Sequence, residues 1–147
     1  MTSVRPLRGS DREQWQPLWE GYLHFYRAEP NPVWSESTFR ALTGHDDQMA
    51  GLLALEPAGR AIGLAHLVFH ASTWSTKPRC YLNDLFVARD TRGSGTGNAL
   101  IEATYAAAAA RGCDEVYWHT QEFNSAARSL YDTVAALTSF RVYEHEL

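Results

Sequence analysis

The segment that most restricts the fold is "CYLNDLFVARDTRGSGTGNALIEATYAAAAARG", residues 80–112. An apolar run of strand type, "CYLNDLFVA", meets Arg92, Gly93, Gly95 and Gly97. An Ala-rich run of helix type then extends from Asn98 to a terminating Gly112. Glycine loses more conformational freedom on folding than any other residue, so such a cluster marks a turn or a close approach to something bulky. A strand, a glycine loop and a helix start also make an anion site. The first-turn N–H groups have no partner within the helix, and the helix dipole places partial positive charge there.

Known phosphate loops provide the comparison. A Walker A loop needs GxxxxGK[ST], and both the spacing and the lysine are missing. A dinucleotide fingerprint needs GxGxxG and an acidic residue ending the next strand. Here the spacing is GxGxG, and Asp114 begins the next strand instead. A flexible turn without a ligand stays open on the glycines alone.

Around this segment the chain reads as one mixed α/β domain spanning residues 1–147. "SVRPLRGS" is a short first strand. Ser10 and Glu13 have capping-box spacing, which predicts a helix from there. Trp15, Trp19, Tyr22 and Tyr26 recur on one helical face with Phe25 beside them, and Pro17 should kink the helix or delay its regular part. "EPNP" reads as a breaker, and a second helix is predicted from Ser35 to Gly44. "MAGLLALEP" and "RAIGLAHLVFH" form a hairpin across "PAGR", and "ASTWSTKPR" reads as a polar loop. After the Ala-rich helix come a strand "DEVYWHT", a helix "NSAARSLYDTVAAL" capped by Asn124 or Ser125, and a final strand "SFRVYEHEL".

Composition narrows the function. Apolar residues make up 45% and charged residues 20%, which argues against a disordered chain. A net charge of -4 without any Lys/Arg block gives no basis for nucleic-acid binding, and mildly favours cationic small molecules. No apolar run reaches bilayer length, and "MTSVRPLRGSDREQ" lacks a secretory hydrophobic region, so no membrane partner is expected. Cys80 and Cys113 fit neither a CxxC motif nor a disulfide framework, and a reducing, cytoplasmic setting is the default expectation. His66 and His70 share a strand face but stand about 13 Å apart along it, too far for one metal ion. They read as pocket or core histidines, and no metal is expected.

With Arg92 included, "RGSGTG" has the R-x-x-G-x-G form and resembles the pyrophosphate loop of the GNAT acyl-CoA N-acetyltransferases. "YLNDLFVARDTRGSGTGNALI" resembles that family's strand-loop-helix signature. "VYWHTQEFNSAARSLYD" resembles the next strand and the N-x-x-A-x-x-L-Y helix, and the order of the earlier elements also matches. The pattern is most similar to the small polyamine acetyltransferases and to histone-acetyltransferase-like proteins of yeast and bacteria, which are typically dimers.

The resemblance implies a GNAT fold with a splayed central sheet flanked by helices, acetyl-CoA as cofactor, and direct acetyl transfer to a primary amine. Arg92, Gly93, Ser94, Gly95, Thr96, Gly97 and Asn98 would hold the pyrophosphate. The main chain of Leu85, Phe86 and Val87 would pair with the pantetheine arm and the thioester carbonyl. Tyr131 would be the general acid toward the sulfur, and Asn124 would cap its helix and bond the cofactor. On Ala127, Tyr131 and Val134 alone, plain packing is the better account of Tyr131.

The amine, an ammonium with a pKa near 10.4, must lose a proton. The polyamine enzymes read Y-L-E-D where this chain reads "YLND", and Asn83 can neither hold that charge nor pair with a cation. Asp84 is the neighbouring acid, although alternate strand residues face opposite sides. Phe25, Tyr26 and Asn83 are candidate substrate contacts, the aromatic rings through cation–π attraction. A small-molecule amine acceptor and a homodimer are expected. A protein-lysine acetyltransferase and a non-catalytic acyl-CoA sensor are the alternatives.

Overall fold

A computed structural model describes residues 1–147. Its centre is one five-stranded sheet in the order β1-β2-β3-β4-β5: Ser3–Pro6, Met49–Leu55, Ala61–Ser72, Ser75–Val87 and Glu115–Tyr117. The first three pairings are antiparallel and β4 runs parallel to β5. Helices α1 (Arg12–Phe25) and α2 (Pro32–Arg40) cover one face, and α3 (Thr96–Ala110) and α4 (Ser125–Val134) the other.

Strand β3 shows why the sheet forms where it does. Leu64 faces a core built with Trp15, Trp19, Phe39 and Leu53. Ala65, Leu67 and Phe69 face a second core with Leu82, Leu100 and Ile101. A strand buried on both faces reads as a continuous apolar run, and "AIGLAHLVF" is one. Gly63 lets α3 come close, since a Cβ there would lie 3.0 Å from Leu100 and from the Phe86 carbonyl oxygen.

Several boundaries differ from the sequence expectation. Ser10 lies inside a tight turn, Gly9–Asp11, and α1 starts at Arg12. The bond expected of a capping box is made by Asp11 instead. Its carboxylate accepts from the Arg8 N–H at 2.7 Å and from the Arg5 guanidinium at 2.8 and 2.9 Å. Helix α1 continues through Pro17, held by the buried Trp15 and Trp19 on either side. Helix α2 begins at Pro32, not Ser35. The Asn31 side chain accepts from the Trp34 N–H and Pro32 takes the first helical position, so the apparent breaker is a helix start. The stretch 71–79 is mostly strand. β3 and β4 extend past the helices into solvent, where polar side chains suit a hairpin tip.

The final strand is not formed. Residues after α4 have no regular structure, and Phe140 and Tyr143 are 85% and 99% exposed. The alternation of "SFRVYEHEL" is of strand type, but no edge within the one chain takes it up.

Two irregularities in β4 prepare the site. It pairs with β5 only from Arg79 to Tyr81, and past that point β5 diverges, leaving the Leu82–Val87 edge without a neighbouring strand. This is the expected splay. On its other edge, Leu82 pairs with Leu67 and Asp84 with His66, so Asn83 is an extra residue, a bulge.

Candidate active site

The divergence of β5 opens a cavity of about 570 Å³ between the end of α1, the last residues of β4, the glycine loop, and α4. Leu85, Phe86 and Val87 form one wall. Arg92, Gly93, Gly95, Thr96, Gly97 and Asn98 form the end, Asn124, Leu130 and Tyr131 the opposite wall, and Tyr22, Phe25 and Tyr26 the mouth. Most of the residues expected to bind cofactor or acceptor are thereby brought together.

The loop geometry explains its glycines separately. Gly93 and Gly95 have φ of +84° and +87°, the left-handed region, and a Cβ on either would meet nothing within 4 Å. Only glycine suits that backbone, and the space above it is open for a ligand. Gly97 has a different role: a Cβ there would stand 3.2 Å from the tip of the Leu130 side chain, so glycine lets α4 pack closely on the start of α3. Ser94 does not line the cavity. Its hydroxyl donates to the Thr91 carbonyl and pairs with the Thr96 hydroxyl at 2.9 Å, which fastens the loop. Arg92 uses Nε to bond the Val87 carbonyl at 3.1 Å, and its guanidinium lies over the rings of Phe25 and Phe86. Backbone N–H groups at the start of α3 and one arginine suit an anion, and the apolar walls suit an extended chain. These residues fit acetyl-CoA.

Tyr131 packs edge-on against Trp118, with ring centroids 5.3 Å apart, and borders the cavity. Burial, with Tyr26 nearby, pushes its hydroxyl above the ordinary value, so it stays protonated and can donate. Asn124 caps α4 through the Ala127 N–H and also faces the cavity. Neither cysteine is set up as a nucleophile. Burial pushes the Cys80 thiol up to about 12, and Cys113 is raised too.

The acidic residue lies deeper than expected and on another face. The bulge at Asn83 breaks the alternation, so Tyr81 and Asp84 both face α1. Asn83 does not line the cavity; its amide donates to Asp84 at 3.1 Å. Burial works to raise the Asp84 carboxyl, but hydrogen bonds from His66, Tyr22 and Asn83 outweigh it and hold the group below its ordinary value. His66 lies 2.8 Å from Asp84, and the Trp15 indole N–H donates to the other ring nitrogen of His66 at 3.0 Å. His70 instead pairs with the Tyr117 hydroxyl at 2.6 Å.

Trp15, Tyr22 and His66 were absent from the expected site. Trp15 and Tyr22 were legible only as members of an aromatic helical stripe, and only the cross-strand register brings His66 to Asp84. A second hollow, of about 580 Å³, lies between β5, α4 and the C-terminal segment and shares Tyr131.

Comparison with known proteins agrees with this geometry. The model of the acetyltransferase (GNAT) family matches residues 15–135. The D-amino-acid N-acetyltransferase HPA3 of Saccharomyces cerevisiae is 34% identical over 142 residues, 96% of this chain and 88% of the yeast protein. An aminoglycoside N(6')-acetyltransferase type 1 of Klebsiella aerogenes is 30% identical, covering 87% of this chain and 84% of that protein. Among solved structures, AAC(6')-Iy in complex with a CoA bisubstrate analog superposes with a TM-score of 0.85 at 20% identity, over 100% of this chain and 98% of that one. The glycine loop, the opened sheet and these likenesses together mean that the chain belongs to the GNAT acetyltransferase family.

Proposed function

We propose that this acetyltransferase moves the acetyl group of acetyl-CoA directly to a primary amine of a small molecule, working as one domain over residues 1–147. The single observation that carries this reading is the cavity joining the glycine loop to Tyr131 and to the mouth formed by Tyr22, Phe25 and Tyr26.

Bound acetyl-CoA supplies an activated acyl group. The N–H groups of Gly93 to Asn98 and the charge of Arg92 hold its pyrophosphate. The free edge of Leu85–Val87 offers main-chain donors to the arm and to the carbonyl. Asp84 accepts the amine's proton, directly or through the Tyr22 hydroxyl or a water, and Tyr131 supplies a proton to the departing sulfur. Phe25 and Tyr26 receive the acceptor. With both thiols pushed upward, neither cysteine is disposed to form a covalent acyl-enzyme, which favours direct transfer.

An amino-acid-like amine is favoured over a polyamine. The 34% identical relative is named for D-amino acids, and Asn83 stands where the polyamine enzymes carry a carboxylate. A cytoplasmic homodimer is part of the same proposal. The observation that supports the dimer is the exposed Phe140, Val142 and Tyr143 beside an unpaired β5 edge.

The test is thiol release from acetyl-CoA against amino acids of both hands, polyamines, aminoglycosides and a basic peptide, with Tyr131→Phe as control. Release with one small-molecule class, lowered about 10²- to 10⁴-fold in kcat by the substitution, is expected. Release only with the peptide overturns the small-molecule reading. Acetyl-CoA binding without release from any acceptor overturns the enzymatic one.

A further inference from the structure

His66 is 2% exposed and both of its ring nitrogens are engaged. The partner on one side is the Trp15 indole, which can only donate. Its N–H points at Nε2 from 3.0 Å, so Nε2 must carry a lone pair. The ring proton then sits on Nδ1, which donates to Asp84 Oδ2 at 2.8 Å. The rings of Trp15 and Trp19, with centroids 6.0 and 5.3 Å from that of His66, fix the imidazole in place. A second ring proton would have to displace the Trp15 bond, so His66 is not itself the base.

We infer that His66 is a positioning residue: Trp15 sets its tautomer, and His66 in turn holds the Asp84 carboxylate in place as the proton acceptor for the incoming amine. This rests on the assignment of Asp84 as base. The groups facing Asp84 are Tyr22 from α1 and Tyr26 just past its end, His66 from β3, and Tyr81 and Asn83 from its own strand. The leading influences that lower the Asp84 carboxyl are His66, Tyr22 and Asn83, so an acid limb set by Asp84 responds to those hydrogen bonds.

The test compares kcat/KM against pH for the wild type, Asp84→Asn, His66→Phe and His66→Asn, with acetyl-CoA binding measured for each. Asn can put an N–H near the place of Nδ1, whereas Phe cannot. In the wild type, the imidazole ¹⁵N correlation spectrum should show a bare Nε2 and a protonated Nδ1. His66→Phe should lose about 10- to 100-fold in kcat and move the acid limb up by about one pH unit or more, with cofactor affinity kept. His66→Asn should return the limb toward the wild type.

An unmoved limb in His66→Phe, or a wild-type ring protonated on Nε2, overturns the inference. Asp84→Asn with full activity and an unchanged limb overturns the assignment of the base instead, which separates the two failures. Should the Phe variant fail to fold, the wild-type spectrum and the Asn variant decide. An acid limb that stays shifted in a folded His66→Asn overturns the role of the Nδ1 donor.

Discussion

Arg92 shows how one side chain serves two neighbours. Its Nε ties the loop to the Val87 carbonyl, and its planar face covers Phe25 at the mouth of the cavity. The guanidinium therefore joins the anion end of the site to the acceptor end. Arg92→Ala should raise the Kd for acetyl-CoA by about 10- to 100-fold, the worth of one charge-assisted hydrogen bond, as read by calorimetry. An unchanged Kd removes Arg92 from the pyrophosphate site. Residue type and spacing marked the Gly95 loop as a candidate anion site, because its chemistry depends on local backbone, whereas the roles proposed for Arg92 and Tyr131 came from the resemblance to the family's loop and helix motifs. His66 was legible only as a pocket or core histidine, since its partners are 51 residues away at Trp15 and 18 away at Asp84.

Elements tell a similar story. Loop and helix α3 form as expected because glycine, alanine and the terminating Gly112, with φ of +77°, act locally. Gly95→Val tests the loop as a unit. With no neighbouring atom near a new Cβ, the strain lies in the backbone, where a non-glycine residue at positive φ costs about 1–2 kcal/mol. The expected result is a folded domain with a modestly lowered Tm that no longer binds acetyl-CoA. Normal binding would mean that the loop is only a turn. The polar tip of the β3–β4 hairpin was misread as a loop because strand pairing there rests on register and not on apolar burial.

For the whole molecule, two carboxylates, the buried Asp11 and the largely buried Asp84, link stability to pH. Asp11 lies below its ordinary value chiefly through hydrogen bonds from Arg5, against the cost of burial, and Asp84 does so through His66, Tyr22 and Asn83. A lowered folded-state pKa adds stability above the unfolded value of about 3.9, and that stability is lost as pH falls through the folded value. Urea unfolding measured from pH 6 down to pH 3 should show a fall in stability that is shallower in Asp11→Asn. An equal slope in that variant would mean that Asp11 is not a source of it. The exposed C-terminal segment makes a second prediction at this scale. Deleting residues 138–147 should convert a dimer to a monomer in sedimentation while leaving acetyl-CoA binding intact. A dimer that survives the deletion uses another face.

The sequence by itself determined the order of helices and strands as far as α4, and the glycine loop with its helix. Each of these depends on contacts a few residues apart or on a simple period. The tertiary structure alone decided which face Asp84 presents. One extra residue at Asn83 reverses the strand's alternation, and nothing in a two-residue period announces where a bulge will fall. The same holds for the opened β4–β5 edge and for the Trp15–His66–Asp84 chain. Both are set by how separate elements meet in space, and so the site's cavity and its acid are products of packing.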